Sequence, residues 1–89
     1  MKQLHIFFSG QVQGVGFRYR AKEIADSLKI AGFVKNLSDG RVELVIQGDK
    51  KMLESLVSNL KREFVQNIKK TEISWDNDFQ KLSNFEIRY

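Results

Sequence analysis

The 89-residue chain predicts an α+β fold in which two helices lie on one sheet as a second layer, and three observations carry the expectation. Apolar residues alternate with period two in several short runs and recur at helical spacing in two longer ones. The runs follow the order strand, helix, strand, strand, helix, strand, with one more short strand-like run at the C-terminus. Punctuation falls to glycine, since the chain holds six glycines and no proline.

Leu4, Ile6 and Phe8 alternate with His5, Phe7 and Ser9, the pattern of a strand with one strongly apolar face. From Phe17 the apolar positions move to Ala21, Ile24, Ala25, Leu28 and Ala31, with Arg20, Lys22, Glu23, Asp26 and Lys29 opposite them, which marks an amphipathic helix. Gly32 is expected to stop it. Residues 33–37 and 41–47 are β-prone and are separated by Ser38-Asp39-Gly40, where Asp-Gly supplies the positive φ of a tight antiparallel hairpin. Asp49 is a candidate N-cap for a second helix with Met52, Leu53, Leu56, Val57, Leu60 and Phe64 inward. Alternation returns through Thr71, Ile73 and Trp75 and again in residues 85–89. The order βαββαβ, with each helix joining two strands, is that of a ferredoxin-like α/β sandwich with an antiparallel sheet, a short extra C-terminal strand and one sheet face open to water. The boundary between the second helix and the next strand is the least marked, because residues 61–70 contain neither glycine nor proline.

The length makes residues 1–89 one domain. A hydrophobic share of 42% against 29% charged residues places it among globular rather than disordered chains. With no cysteine, a disulfide framework, a thiolate nucleophile and a Cys-ligated metal are all excluded. One histidine, His5, removes His-pair metal sites and leaves a Ser-His-Asp triad unsupported. The apolar run near the N-terminus is too short for a signal core or a membrane span, and a cytoplasmic protein without membrane association is expected. A net charge of +4 favours anionic partners by field alone, although the basic residues are scattered and most fit an ordinary solvated surface.

The informative stretch is Gly10-Gln11-Val12-Gln13-Gly14-Val15-Gly16-Phe17-Arg18, between the first strand and the first helix. Glycines let successive N–H groups converge, and a loop that feeds a helix N-terminus adds the positive end of the helix dipole. No Ser, Thr, Asp or Asn immediately precedes Phe17 to cap the first helical N–H groups, so an anion or water would satisfy them. The same glycines would also serve a turn whose only task is to join strand to helix. Arg18 weighs towards the anion, because a guanidinium at a helix N-terminus opposes the dipole unless a negative group sits beside it, and its fork matches two phosphoryl oxygens. The glycine spacing completes neither G-x-x-x-x-G-K-[ST] nor G-x-G-x-x-G. With no general acid evident in the loop, the substrate should carry a leaving group that needs no protonation. A carboxylate qualifies, its conjugate acid having a pKa of about 4.

These residues resemble the acylphosphatase signature G-x-V-x-G-V-x-F-R. A second family motif is matched by Gly32-Phe33-Val34-Lys35-Asn36 with Asp39-Gly40 behind it, and the closing residues 85–89 are also similar. The resemblance implies hydrolysis of the carboxyl–phosphate bond of acyl phosphates, without metal or cofactor, to a carboxylate and inorganic phosphate. Carried over by position, it implies that Arg18 binds the phosphoryl group with backbone N–H groups of Gln11, Val12, Gln13, Gly14 and Val15. It further implies that Asn36 orients the attacking water. Strand parity puts Asn36 on the face of Val34, although a turn-forming role beside Ser38-Asp39-Gly40 would also suit it. Asn36 cannot take a proton, which would pass to the substrate's own phosphoryl oxygen. A phosphate or sulfate ion is expected in the loop, and the chain is expected to be monomeric. Asn36-Leu37-Ser38 matches the glycosylation sequon, which finds no use in a cytoplasmic protein.

Two other readings use the same fold. An RNA-binding module would need stacking aromatics on the central strands; His5 and Phe7 are available on the first, but residues 41–47 contain none. A non-catalytic phosphate-binding module, or the front of a larger hydrogenase-maturation protein, would share the loop, but the latter would carry zinc-finger cysteines that this sequence lacks. His5, Trp75 and Tyr89 are expected to be structural or surface residues.

Overall fold

The alternating runs become strands and the helical runs helices in the computed structural model, which describes residues 1–89. The order is β1 (Lys2–Gly10), α1 (Phe17–Leu28), β2 (Ala31–Asn36), β3 (Val42–Gly48), α2 (Lys50–Glu63), β4 (Ile68–Asp76) and β5 (Phe85–Arg88). Leu4, Ile6 and Phe8 of β1, Leu44 and Ile46 of β3, and Val34 of β2 form one core with Ala21, Ile24 and Ala25 of α1 and Leu53, Leu56 and Leu60 of α2. Each large aliphatic side chain so removed from water contributes on the order of 1.5–3 kcal/mol, and no disulfide supplements them. No helix is long and apolar enough to cross a membrane.

The sheet runs β4-β1-β3-β2-β5. β1 pairs antiparallel with β3 and β4, and β2 with β3, as expected. β5 departs from the expectation of an antiparallel sheet, because it pairs parallel with β2. The reason is the path of the chain. β4 and β5 occupy opposite edges, so residues 77–84 must cross about 19 Å of sheet, four strand spacings, on a segment that reaches ~26 Å when extended. A connection that short starts β5 at the end of the sheet where β4 finished, and from that end β5 runs with β2.

The crossing lies on the face away from the helices and is fastened at its middle by Gln47 of β3. The Gln47 amide nitrogen donates to Gln80 O at 2.8 Å and to Gln3 Oε1 at 2.8 Å, and its oxygen accepts the Leu82 N–H at 2.9 Å. The outer face is therefore partly covered, where the sequence left it open to water.

Three local expectations change. α1 is ended by Lys29, left-handed at φ 57°, whose N–H and that of Ile30 return to the last carbonyls, rather than by Gly32. Gly32 sits inside β2, where a Cβ would collide with the backbone of Val45 on β3. Asp49 occupies the N-cap position of α2, but its backbone carbonyl, not its carboxylate, closes the turn, accepting Leu53 N–H at 3.0 Å. The unmarked boundary after α2 is closed by Phe64 O, which accepts the N–H groups of Asn67 and Ile68 at 2.9 and 3.0 Å.

Candidate functional site

Core packing sets the position of the glycine loop from both ends. Val12 is buried, and Phe17 stacks between Phe8 and Phe64 with ring centroids 4.9 Å away on each side. Anchoring Phe17 fixes the first turn of α1 and turns the next residue, Arg18, out of the core. Gly16 takes the N-cap in a left-handed conformation, φ 84° and ψ 12°, which any side chain would strain, and no side chain caps the helix. The backbone N–H groups of residues 12–19 accordingly donate to no protein acceptor. Orphan donors at the positive end of a helix dipole suit an anion.

Loop, helix and strand meet in a cleft of about 260 Å³. Its walls are Val12, Gly14 and Gly16 of the loop, Arg18 and Tyr19 of α1 and Asn36 at the end of β2, with Phe17 beneath. The two side chains that the sequence placed 18 positions apart thus share one cavity. Arg18 is half-buried and takes part in no salt bridge with any carboxylate. Its Nη1 donates to Arg88 O at a long 3.4 Å, and its guanidinium lies 4.8 Å from the centre of the Tyr89 ring. Asn36 lies on the face of Val34, as parity predicted, and its carboxamide is left out of the hydrogen bonds that fasten the turn beside it. That turn is held by Asp39, whose carboxylate accepts Arg41 N–H at 3.1 Å and Arg41 Nε at 2.8 Å. Those bonds, the backbone one first, hold the Asp39 carboxyl below its ordinary pKa.

Gln11 is a correction to the expected set of loop amides. Its N–H donates to Asn67 O at 2.9 Å, and its carbonyl accepts the Asn67 side chain at 3.0 Å, so this amide is spent on holding the loop to the α2–β4 turn. The amides from Val12 onward stay free. Val15 is 41% exposed and stands outside the cleft wall. Gln13 sends its side chain away from the cleft to the β2–β3 turn.

Several participants escaped the sequence reading. Tyr19 lines the cleft, and Tyr89, exposed at the surface as expected, also lies against the Arg18 guanidinium. The Tyr89 hydroxyl is held above its ordinary pKa chiefly by the neighbouring Tyr19 phenol, against the lowering field of Arg18. Asn67 fastens the loop from 56 residues away, and no local pattern signals it. Outside the cleft, His5 pairs with Glu43 at 2.7 Å.

The outer face carries Phe7 and Phe33, but each ring is covered by a guanidinium, Arg41 at 4.5 Å and Arg88 at 3.9 Å. With residues 80–82 fastened across the same face, the open aromatic platform that single-stranded RNA requires is missing. No group of three His, Cys, Asp or Glu side chains is gathered as a metal site would need.

Comparison with known proteins gives a consistent result. The family model described as acylphosphatase matches residues 4–87. An acylphosphatase of Borrelia garinii subsp. bavariensis is 43% identical over 94 aligned positions that cover all of both chains. The crystal structure of acylphosphatase from Bacillus subtilis superposes with a TM-score of 0.90 at 35% identity, again over the whole of both chains. The HypF structure from T. kodakarensis superposes with a TM-score of 0.84 at 30% identity, over 99% of this chain and 12% of that one.

Proposed function

The chain belongs to the acylphosphatase family and hydrolyses the carboxyl–phosphate bond of acyl phosphates, and from that premise we propose how its residues carry the reaction. The phosphoryl group binds against Arg18 and the free N–H groups of residues 12–15. Asn36 holds a water through its side-chain oxygen on the far side of phosphorus from the leaving group. The water oxygen forms a bond to phosphorus while the bond from phosphorus to the acyl oxygen breaks. The carboxylate departs without protonation, and the proton of the water passes to a phosphoryl oxygen.

The single observation that supports this reading is the meeting of Arg18, Asn36 and the uncapped start of α1 around one 260 Å³ cleft. Phosphoryl transfer to a good leaving group asks for positioning and charge stabilisation rather than covalent help, and a guanidinium, a row of amides and one carboxamide supply both. On this reading the chain acts as one domain and its substrate is a small acyl phosphate. Hydrolysis of benzoyl phosphate, followed with and without a chelator and with added orthophosphate, tests it. Activity unaffected by chelator and inhibited competitively by orthophosphate is expected. Chelator-sensitive turnover, or none of the competition, would count against it.

A further inference from the structure

The side chain of Gln13, in the middle of the loop, makes a connection that anion binding does not require. Its Nε2 spans two carbonyls of the β2–β3 turn, donating to Leu37 O at 2.8 Å and to Arg41 O at 3.0 Å. Both partners are acceptors, so only the amide nitrogen can face them; an oxygen there would meet two carbonyl dipoles head on. The same carbonyls close the turn itself, Arg41 O accepting Leu37 N–H at 2.8 Å and Leu37 O accepting Gly40 N–H at 3.2 Å.

Leu37 follows Asn36 directly, so one part-buried carboxamide ties the anion loop to the peptide beside the residue that faces the cleft. No other hydrogen bond joins the loop to this turn, because the far end of the loop is fastened to Asn67 instead. Arg18, in contrast, is set by the packing of Phe17, and its hydrogen bond runs to Arg88 O rather than to Gln13. We propose that Gln13 is a positioning residue that sets the distance between the phosphoryl cradle and the Asn36 carboxamide without touching substrate. The proposal rests on the roles proposed above for the loop and Asn36. It matters because the attacking water must lie in line at about 3 Å, and a drift of ~1 Å costs on the order of a hundredfold in rate.

The test uses Gln13→Leu, Asn36→Ala and the double variant, with benzoyl phosphate as substrate and orthophosphate inhibition as the measure of anion binding. Gln13→Leu is expected to lower kcat by roughly ten- to a hundredfold with the orthophosphate inhibition constant unchanged within about threefold. In the Asn36→Ala background it should cost less than about threefold, since the group it positions is gone. Gln13→Glu adds a pH readout: its carboxylate faces two carbonyls at neutral pH, and protonation in acid restores one donor, so its activity relative to Gln13→Leu should recover as pH falls.

A kcat for Gln13→Leu within about threefold of the original, an equal cost with and without Asn36, or a parallel loss of orthophosphate binding overturns the proposal. If Asn36→Ala itself leaves kcat unchanged, the site reading fails and takes this inference with it. A fall for Asn36→Ala alone removes only the part assigned to Gln13. Should Gln13→Leu fail to fold by circular dichroism, the Gln13→Glu activity relative to the unsubstituted protein decides: it should rise as pH falls, and a ratio that stays flat overturns the role.

Discussion

Arg18 stands where electrostatics would not place a cation for stability: the first turn of α1, with the helix dipole against it and no carboxylate to answer it. What holds it is a carbonyl at 3.4 Å and a ring at 4.8 Å, contacts that aim the guanidinium without neutralising it. Arg18→Ala should therefore reduce kcat/KM by at least the ~3 kcal/mol of one preorganised donor, about a hundredfold or more, in a benzoyl phosphate assay. Activity within tenfold of the original would remove Arg18 from the mechanism. Asn36→Ala should divide differently, lowering kcat while orthophosphate inhibition persists, because orienting water matters in the transition state and not for ground-state anion affinity. Loss of orthophosphate binding with kcat preserved would contradict that division. Both residues were legible because their signal is local: Arg18 borders a run of glycines, and Asn36 lies two positions from Val34 on a strand of clear parity. Tyr89, the Arg88 carbonyl and Asn67 were not, since they reach the site across 56 to 71 positions of chain that carry no pattern of their own.

The helices and strands were read correctly in type and order because hydrophobic period is a property of a whole segment. Their ends were read less well, because an end is decided by one or two backbone groups. The end of α1 illustrates the difference. A glycine was the natural stop signal and Gly32 stood nearby, but the chain turns at Lys29, in a left-handed conformation at φ 57° and ψ 42°, with Ile30 N–H returning to Ala25 O at 2.8 Å. Ile30 is buried, so the turn is selected by the apolar contact that follows it rather than by the preference of Lys29. Gly32 was marked by composition for a different reason, the close backbone of Val45. Lys29→Gly should thus raise stability by up to ~1 kcal/mol by relieving an unfavourable conformation at an exposed position, and urea denaturation would measure it. A decrease would mean that the lysine side chain contributes more than its backbone costs.

At the scale of the molecule, the strand order obliges the chain to cross its own sheet, and one buried side chain fastens the crossing. Gln47 is 3% exposed, and every polar atom it offers is used. Gln47→Leu would leave Gln80 O and Leu82 N–H without their partner, at a cost of about 1–3 kcal/mol, and Tm should fall by several degrees. An unchanged Tm would mean that the crossing is secured elsewhere. The sequence could not announce this tie, since a glutamine on a strand's outer face looks like any solvated residue until the path of residues 77–84 is known. The same strand order also bears on how quickly the chain finds its fold. β1, made first, is flanked by β3 and by β4 from the far end of the sequence, and β2 waits for β5. Large loops must close before these pairings are rewarded, which makes collapse to the native arrangement slow. With no proline in the chain, no isomerising peptide bond adds a second, slower phase, so the delay belongs to topology alone.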